Sequence, residues 1–226
     1  MNTNKFWPYT TVIPLTILAG LTVLFWLTDL DIKILSRFFV PGAGWTHAER
    51  QPWPFLYNYG TIPAQSIQWL SVAVIIASLR LRQLKPYRLS AVFFVVVMIV
   101  GPGLLVNTTF KQHWGRPRPL DVQQFGGEKT FRHAWVKGPA ADGESFPSGH
   151  AAMGFFWLTP YFVLRHKNKK WAVFFLLFGL AYGLLMGLGR MVQGSHFPSD
   201  VLWSFGFVYL SGLGFNYLLK PDRTLE

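Results

Sequence analysis

The sequence predicts an all-α integral membrane protein, a bundle of six transmembrane helices. Three observations predict it: six long apolar runs, a shortage of charge, and basic residues gathered between the runs. Apolar residues make up 51% of the 226 and charged residues only 14%. An ordinary soluble domain carries about a quarter charged residues. Six buried core helices would leave too few polar side chains to coat a soluble core, so the missing charge reads as surface that faces lipid.

A span needs about 20 mostly apolar residues. The first run extends from Thr10 to Leu27, the second from Ile62 to Leu79 and the third from Leu89 to Val106. The fourth extends from Ser148 to Leu164, the fifth from Trp171 to Leu188 and the sixth from Ser199 to Leu219. Gly101-Pro102-Gly103 is expected to kink the third helix. The first run is long for the apolar part of a signal peptide, and Phe25 and Trp26 suit a cleavage site poorly. No repeat or linker divides the chain, so residues 1–226 are read as one domain.

Basic residues in short loops set the orientation. Arg80, Arg82, Lys85 and Arg88 follow the second run, and Arg165, Lys167, Lys169 and Lys170 follow the fourth. Both loops are expected on the cytoplasmic side, with Lys5 at one terminus and Lys220 and Arg223 at the other. Residues 28–61, 107–147 and 189–198 then lie outside. In the first of these, Ile34, Leu35, Phe38 and Phe39 have the spacing of a helix lying at the interface, with a packed loop as the alternative. Trp45, Trp53 and Phe55 are candidate interfacial anchors.

The net charge of +11 would suggest nucleic acid in a soluble protein. Here the cations sit in clusters that flank apolar runs, which excludes that reading. With no cysteine, disulfides, thiolate metal sites and a cysteine nucleophile are excluded as well.

The outer side collects an unusual set of polar residues. Lys111, Arg116 and Arg118 follow the third run; Pro147-Ser148-Gly149-His150 opens the fourth; Arg190 closes the fifth; His196 and Asp200 flank the start of the sixth. Lysine and arginine hold phosphate, arginine through its planar fork of donors. Ser148 suits a helix N-cap, and a helix start offers free N–H groups to an anion. Gly149 lets that backbone come close. His196 and Asp200 are four apart, so a helix that reaches back to His196 puts them on one face. A carboxylate there fixes the imidazole tautomer and supports its cationic form. Cationic clamps, a helix start and two histidines together suit phosphoryl transfer.

These residues resemble the type 2 phosphatidic acid phosphatase superfamily. Its first motif, Lys, six residues, Arg-Pro, is matched by Lys111 with Arg118-Pro119. Pro-Ser-Gly-His is matched by residues 147–150. Its third motif, Ser-Arg, five residues, His, three residues, Asp, is matched by Arg190, His196 and Asp200, with Gly189 where the family has serine. The resemblance implies that His196 attacks phosphorus to form a phosphohistidine. Asp200 orients His196, and His150 protonates the leaving oxygen and then activates water. Lys111, Arg118, Arg190, Ser148 and the Gly149 amide hold the phosphoryl oxygens. No metal or other cofactor is expected. Arg116 is left between substrate contact and lipid-headgroup contact. His47, His113, His133 and His166 are read as structural or loop residues.

The implied partners are the bilayer and a membrane lipid phosphate. The stretch Asp121–Gly127 is similar to bacterial envelope members of the family, lipid A 1-phosphatases first. Phosphatidylglycerophosphate and undecaprenyl diphosphate phosphatases are the alternatives. A lipid phosphotransferase would use the same intermediate. A vanadate-dependent haloperoxidase shares the motifs, but six spans argue against it. A transporter or scaffold built on the same shell is the non-enzyme alternative, opposed by the intact His150, His196 and Asp200.

Overall fold

In hydrocarbon a backbone must satisfy its own hydrogen bonds, so each apolar run has to coil. The computed structural model describes residues 8–222, and regular structure among them is helical, with two isolated β-bridges in the outer loops. Lys5 and Arg223, used above for orientation, lie outside the described residues.

A π-turn at Pro8–Val12 leads into α1 (Ile13–Leu27). The short α2 (Leu30–Leu35) and α3 (Trp53–Tyr59) belong to segment 28–61, the first of those expected outside, and α3 runs on into α4 (Ile62–Ala77). α5 (Arg88–Met98) continues as a π-helical stretch, Ile99–Lys111. After the second outer segment come α6 (Gly149–Phe155), a 3-10 turn at Phe156–Leu158, and α7 (Pro160–Leu164). α8 (Lys169–Val192) and α9 (Pro198–Leu219) complete the bundle.

Among the described residues five helical units are long and apolar enough to cross a membrane: Tyr9–Leu27, Trp53–Ala77, Arg82–Lys111, Lys169–Val192 and Pro198–Leu219. The fourth expected span is not one of them, because it is broken. Pro160 has no N–H and its ring crowds the preceding turn, so the chain tightens at Phe156–Leu158 before α7 begins. This segment nonetheless runs the length of the bundle beside α9. At one end the Ser148 N–H donates to Ser204 Oγ (2.9 Å), and at the other Arg165 pairs with Asp222 (3.4 Å). Phe155, Phe156, Leu158 and Phe162 are buried, which makes the broken helix the centre of the bundle rather than a lipid-facing wall. It packs on α8 through glycines: a side chain at Gly183 would strike the Phe155 ring, and one at Gly179 would strike the Leu158 backbone.

The Gly101-Pro102-Gly103 segment falls in the π-helical stretch. There Asn107 Nδ2 donates to the Pro102 carbonyl (2.7 Å) and Thr108 Oγ1 to that of Gly103 (3.2 Å). Wider turns accommodate the proline, which cannot donate to a regular ladder. In the first outer segment the packed alternative holds. Leu35, Phe38, Phe39 and Trp45 form a small core with Val122, Phe125 and Phe197. This clamps the first outer segment to the second and to the start of α9. Phe55 remains exposed, as an interfacial anchor would be. A separate apolar cavity of about 660 Å³ lies between α1, α8 and α9, lined by residues such as Ile17, Leu21, Leu180 and Leu202.

Candidate active site

Helix ends bring the charged residues together. Lys111 ends the π-helical stretch, Ser148 caps α6, Arg190 lies in the last turn of α8, and His196 precedes α9. Lys111 lies within electrostatic reach of Arg118 and Arg190. His150 lies within reach of Arg190, Lys111 and His196. Residues from all three sequence motifs thus meet at one end of the bundle.

Arg190 is held from two sides. Its Nη1 donates to Gln193 Oε1 (2.5 Å), and its guanidinium carbon lies 4.5 Å from the Tyr57 ring centroid. Its Nε is buried with no hydrogen-bond partner among the described residues. An unpaired buried donor on a cation is costly, and an anion beside it removes the cost. Arg118 is a third exposed and meets Glu144 at 4.0 Å, a pair loose enough to open for an anion. Tyr57 also stacks on His150 (4.9 Å, 20°), and its carbonyl lies 3.1 Å from His150 Nε2. A carbonyl only accepts, so His150 carries a proton on Nε2.

Ser148 and Gly149 are placed differently from an open anion cradle. Both are buried; the Ser148 hydroxyl accepts from the Ala151 N–H (3.4 Å), and its own N–H is taken by Ser204. Gly149 is needed for space, because a side chain there would meet the Asn107 amide. Gly189 has a similar explanation. A Cβ there would sit 3.2 Å from the Trp53 ring, so the aromatic plate of α3 lies where the family serine would project.

His196 is 2% exposed. Its Nδ1 lies 2.6 Å from the Ser145 carbonyl and 3.8 Å from Asp200 Oδ2. The direct partner is therefore the backbone of Ser145, where the sequence had pointed to Asp200. The carbonyl requires a proton on Nδ1, which leaves the lone pair of the neutral ring on Nε2. Burial pushes the imidazole down to about 4, against the pull of Asp200 and with help from Arg190 and Lys111.

Asp200 acts one step back. Its Oδ2 accepts from Ser145 Oγ (2.6 Å) and the Phe197 N–H (2.7 Å). Its Oδ1 accepts from Arg116. Arg116 is fully buried, which takes it away from both of the roles left open for it. It donates to Asp31 Oδ2 (2.8 Å), to Ser199 Oγ (2.8 Å) and to the Arg132 carbonyl (2.8 Å), and lies over the Phe197 ring at 4.3 Å. Sequence reasoning left Arg116 open and missed Asp31, Ser145, Ser199, Tyr57 and Gln193. None of these stands at a spacing that marks it. A pair of acids, Asp29 and Asp31, just after a membrane span was the one available signal for Asp31.

Among the described residues no three His, Asp or Glu side chains cluster as a metal site requires. His133 packs between Trp26 and Phe131, and His166 pairs with Asp222. Neither joins the site.

The chain is similar to several curated bacterial lipid phosphatases. A lipid A 4′-phosphatase of Francisella tularensis subsp. novicida is 35% identical over 215 residues, 86% of this chain and 91% of the relative. A lipid A 1-phosphatase of Rhizobium johnstonii is 34% identical over 140 residues, 58% of this chain and 51% of the relative. Phosphatidylglycerophosphatase B of Bacillus subtilis is 27% identical over 139 residues, 57% of this chain and 60% of the relative. No solved structure matches. The PAP2 superfamily model matches residues 90–222, which carry every motif residue named above. The chain belongs to the PAP2 superfamily.

Proposed function

We propose that this protein is a bacterial membrane phosphatase that removes a phosphate from lipid A, at the 4′ position, through a phosphohistidine. The observation that carries the phosphatase reading is the buried, unpartnered Nε of Arg190, beside His150 and within reach of Lys111 and His196. A phosphoryl oxygen satisfies that donor. The 4′ position is favoured by the relative that covers nearly the whole chain; the 1-position suggested by residues 121–127 is the competitor.

In this mechanism Lys111, Arg118 and Arg190 take the phosphoryl oxygens and stabilise the charge that develops on them. His196 attacks phosphorus through Nε2 while Nδ1–H stays on the Ser145 carbonyl. The ring becomes cationic as the N–P bond forms. The ester P–O bond breaks, and His150, which carries a second proton on Nδ1 once the phosphate anion is bound beside it, gives that proton to the leaving oxygen while Nε2–H stays on the Tyr57 carbonyl. Neutral His150 then takes a proton from water, whose oxygen attacks phosphorus; the N–P bond breaks, its electron pair returns to His196 Nε2, and phosphate leaves. Ser148 holds the start of α6, and with it His150, in place. The site opens at the periplasmic face, so a lipid phosphate reaches it while its chains stay in the bilayer.

Purified protein, incubated with chelator against lipid A, phosphatidylglycerophosphate, phosphatidic acid and undecaprenyl diphosphate, is the test. Phosphate release from lipid A, lost in His196→Ala, is expected. Fragmentation mass spectrometry of the product should show the 4′-phosphate gone. Loss of the 1-phosphate instead would overturn the positional assignment, and release from another lipid alone would overturn the substrate. Release that stops with chelator would overturn the metal-free mechanism.

A further inference from the structure

We propose that Asp31, in the first outer segment, is a positioning residue for the nucleophile, acting on His196 through Arg116, Asp200 and Ser145. The proposal rests on the phosphohistidine reading given above. It adds a part that lies far outside the three motifs and before the region matched by the family model.

The connections are continuous and buried. Asp31 is 1% exposed, Arg116 and Asp200 are both fully buried, and His196 is 2% exposed. Arg116 bridges the two carboxylates, one guanidinium nitrogen to each. Asp200 receives the Ser145 hydroxyl, and the Ser145 carbonyl holds His196 Nδ1. The backbone closes the loop, because the Ser145 N–H donates to the Arg116 carbonyl (2.9 Å). Asp31 also accepts from the Ser199 N–H (2.9 Å) and hydroxyl (2.6 Å), which ties α2 to the first turn of α9.

Charge gives the arrangement its purpose. Two carboxylates face one guanidinium, so the cluster carries one negative charge more than Arg116 cancels. The Ser199 N–H at the start of α9 offsets part of it. Among the groups of this network, the remainder is matched by His196 when it becomes cationic, the state it enters as the N–P bond forms. In a site from which water is excluded such a charge acts strongly. A single carboxylate on Arg116 would be a neutral pair and would lack this bias. Asp31 is therefore the residue that makes the support behind the nucleophile anionic, and the phosphate clamp of Lys111, Arg118 and Arg190 stands apart from it.

The test separates attack from phosphate binding. Asp31→Asn keeps the shape and removes the charge. We expect kcat on the lipid substrate to fall about tenfold or more with KM nearly unchanged. Orthovanadate, which bonds to the attacking nitrogen, should bind correspondingly more weakly by calorimetry, while competitive inhibition by inorganic phosphate stays within about twofold. Asp31→Glu should recover part of kcat. Ser199→Ala, which keeps both charges and loses only a bridge, should cost less than Asp31→Asn and serves if Asp31→Asn does not fold. Wild-type kcat and vanadate affinity in Asp31→Asn would overturn the proposal. So would parallel loss of vanadate and phosphate binding at an unchanged melting temperature, or a Ser199→Ala defect confined to KM. If the wild-type protein neither releases phosphate nor binds vanadate through His196, the phosphohistidine reading fails first and takes the inference with it.

Discussion

Burial keeps the His196 imidazole neutral down to about pH 4, and a neutral ring is the form that can attack phosphorus. In an unfolded chain the same group would titrate near 6.5. Between about pH 6.5 and 4 the unfolded state therefore binds a proton that the folded state does not, so stability falls as the pH drops through that window. The wild-type melting temperature should decline more between pH 7 and 4.5 than that of His196→Gln, in which the titrating group is gone. Equal declines would show that other groups govern the acid limb. Arg116 makes a second prediction at this scale. Removing one member of a buried charged cluster leaves the others uncompensated, at about 3–5 kcal/mol. Arg116→Ala should lower the melting temperature sharply and cost activity with it. Arg118→Ala, at a site a third exposed, should cost activity with little change in melting.

Among the elements, α6 and α8 are the pair whose packing matters most to the site, since one carries His150 and the other Arg190. Their approach depends on Gly183, which meets Phe155 of α6, and on Gly179, which seats the 3-10 turn that follows α6 against the same helix. Gly179→Ala sets a methyl against backbone atoms that cannot turn aside, and overpacking of this kind costs about 1–3 kcal/mol. Lower melting and reduced phosphatase activity together are expected. Gly20→Ala is the control: nothing lies within 4 Å of the added methyl, and alanine is the better helix former. Its melting temperature should hold or rise slightly. The break at Phe156–Leu158 belongs to this scale too. The apolar run 148–164 is legible as a span, yet its proline-induced tightening and its central position depend on what surrounds it. Hydropathy treats an apolar side chain against lipid and one against protein alike.

Across the whole molecule the motif residues gather at one end of the bundle, and the basic loops Arg80–Arg88 and Arg165–Lys170 sit at the other. By the positive-inside rule we propose that the site lies at the outer face. The chain has no cysteine, so single cysteines report orientation without background. A membrane-impermeant maleimide should label Lys137→Cys in intact spheroplasts and reach Arg80→Cys only after lysis; both positions are exposed. The reverse pattern would overturn the proposed orientation. The first outer segment is also a whole-molecule feature. It closes over the second through Leu35, Phe39 and Phe125, and it carries Asp31 to Arg116 across a large sequence separation.

By itself the sequence determined the helical membrane bundle, its family and the residues of the three motifs. Those properties are written in local pattern: an apolar run must coil in lipid, and the motif residues keep fixed spacings at helix ends. Tertiary structure decided how the residues are wired. It gave His196 a backbone carbonyl as its direct partner and moved Asp200 one step behind it. It tied the Ser148 N–H to Ser204 and buried Arg116 between two acids. It also brought Tyr57 and Asp31 to a site that no spacing assigns to them. The physical reason is that hydrogen bonds and buried charges answer to distance in space, while a sequence records only distance along the chain.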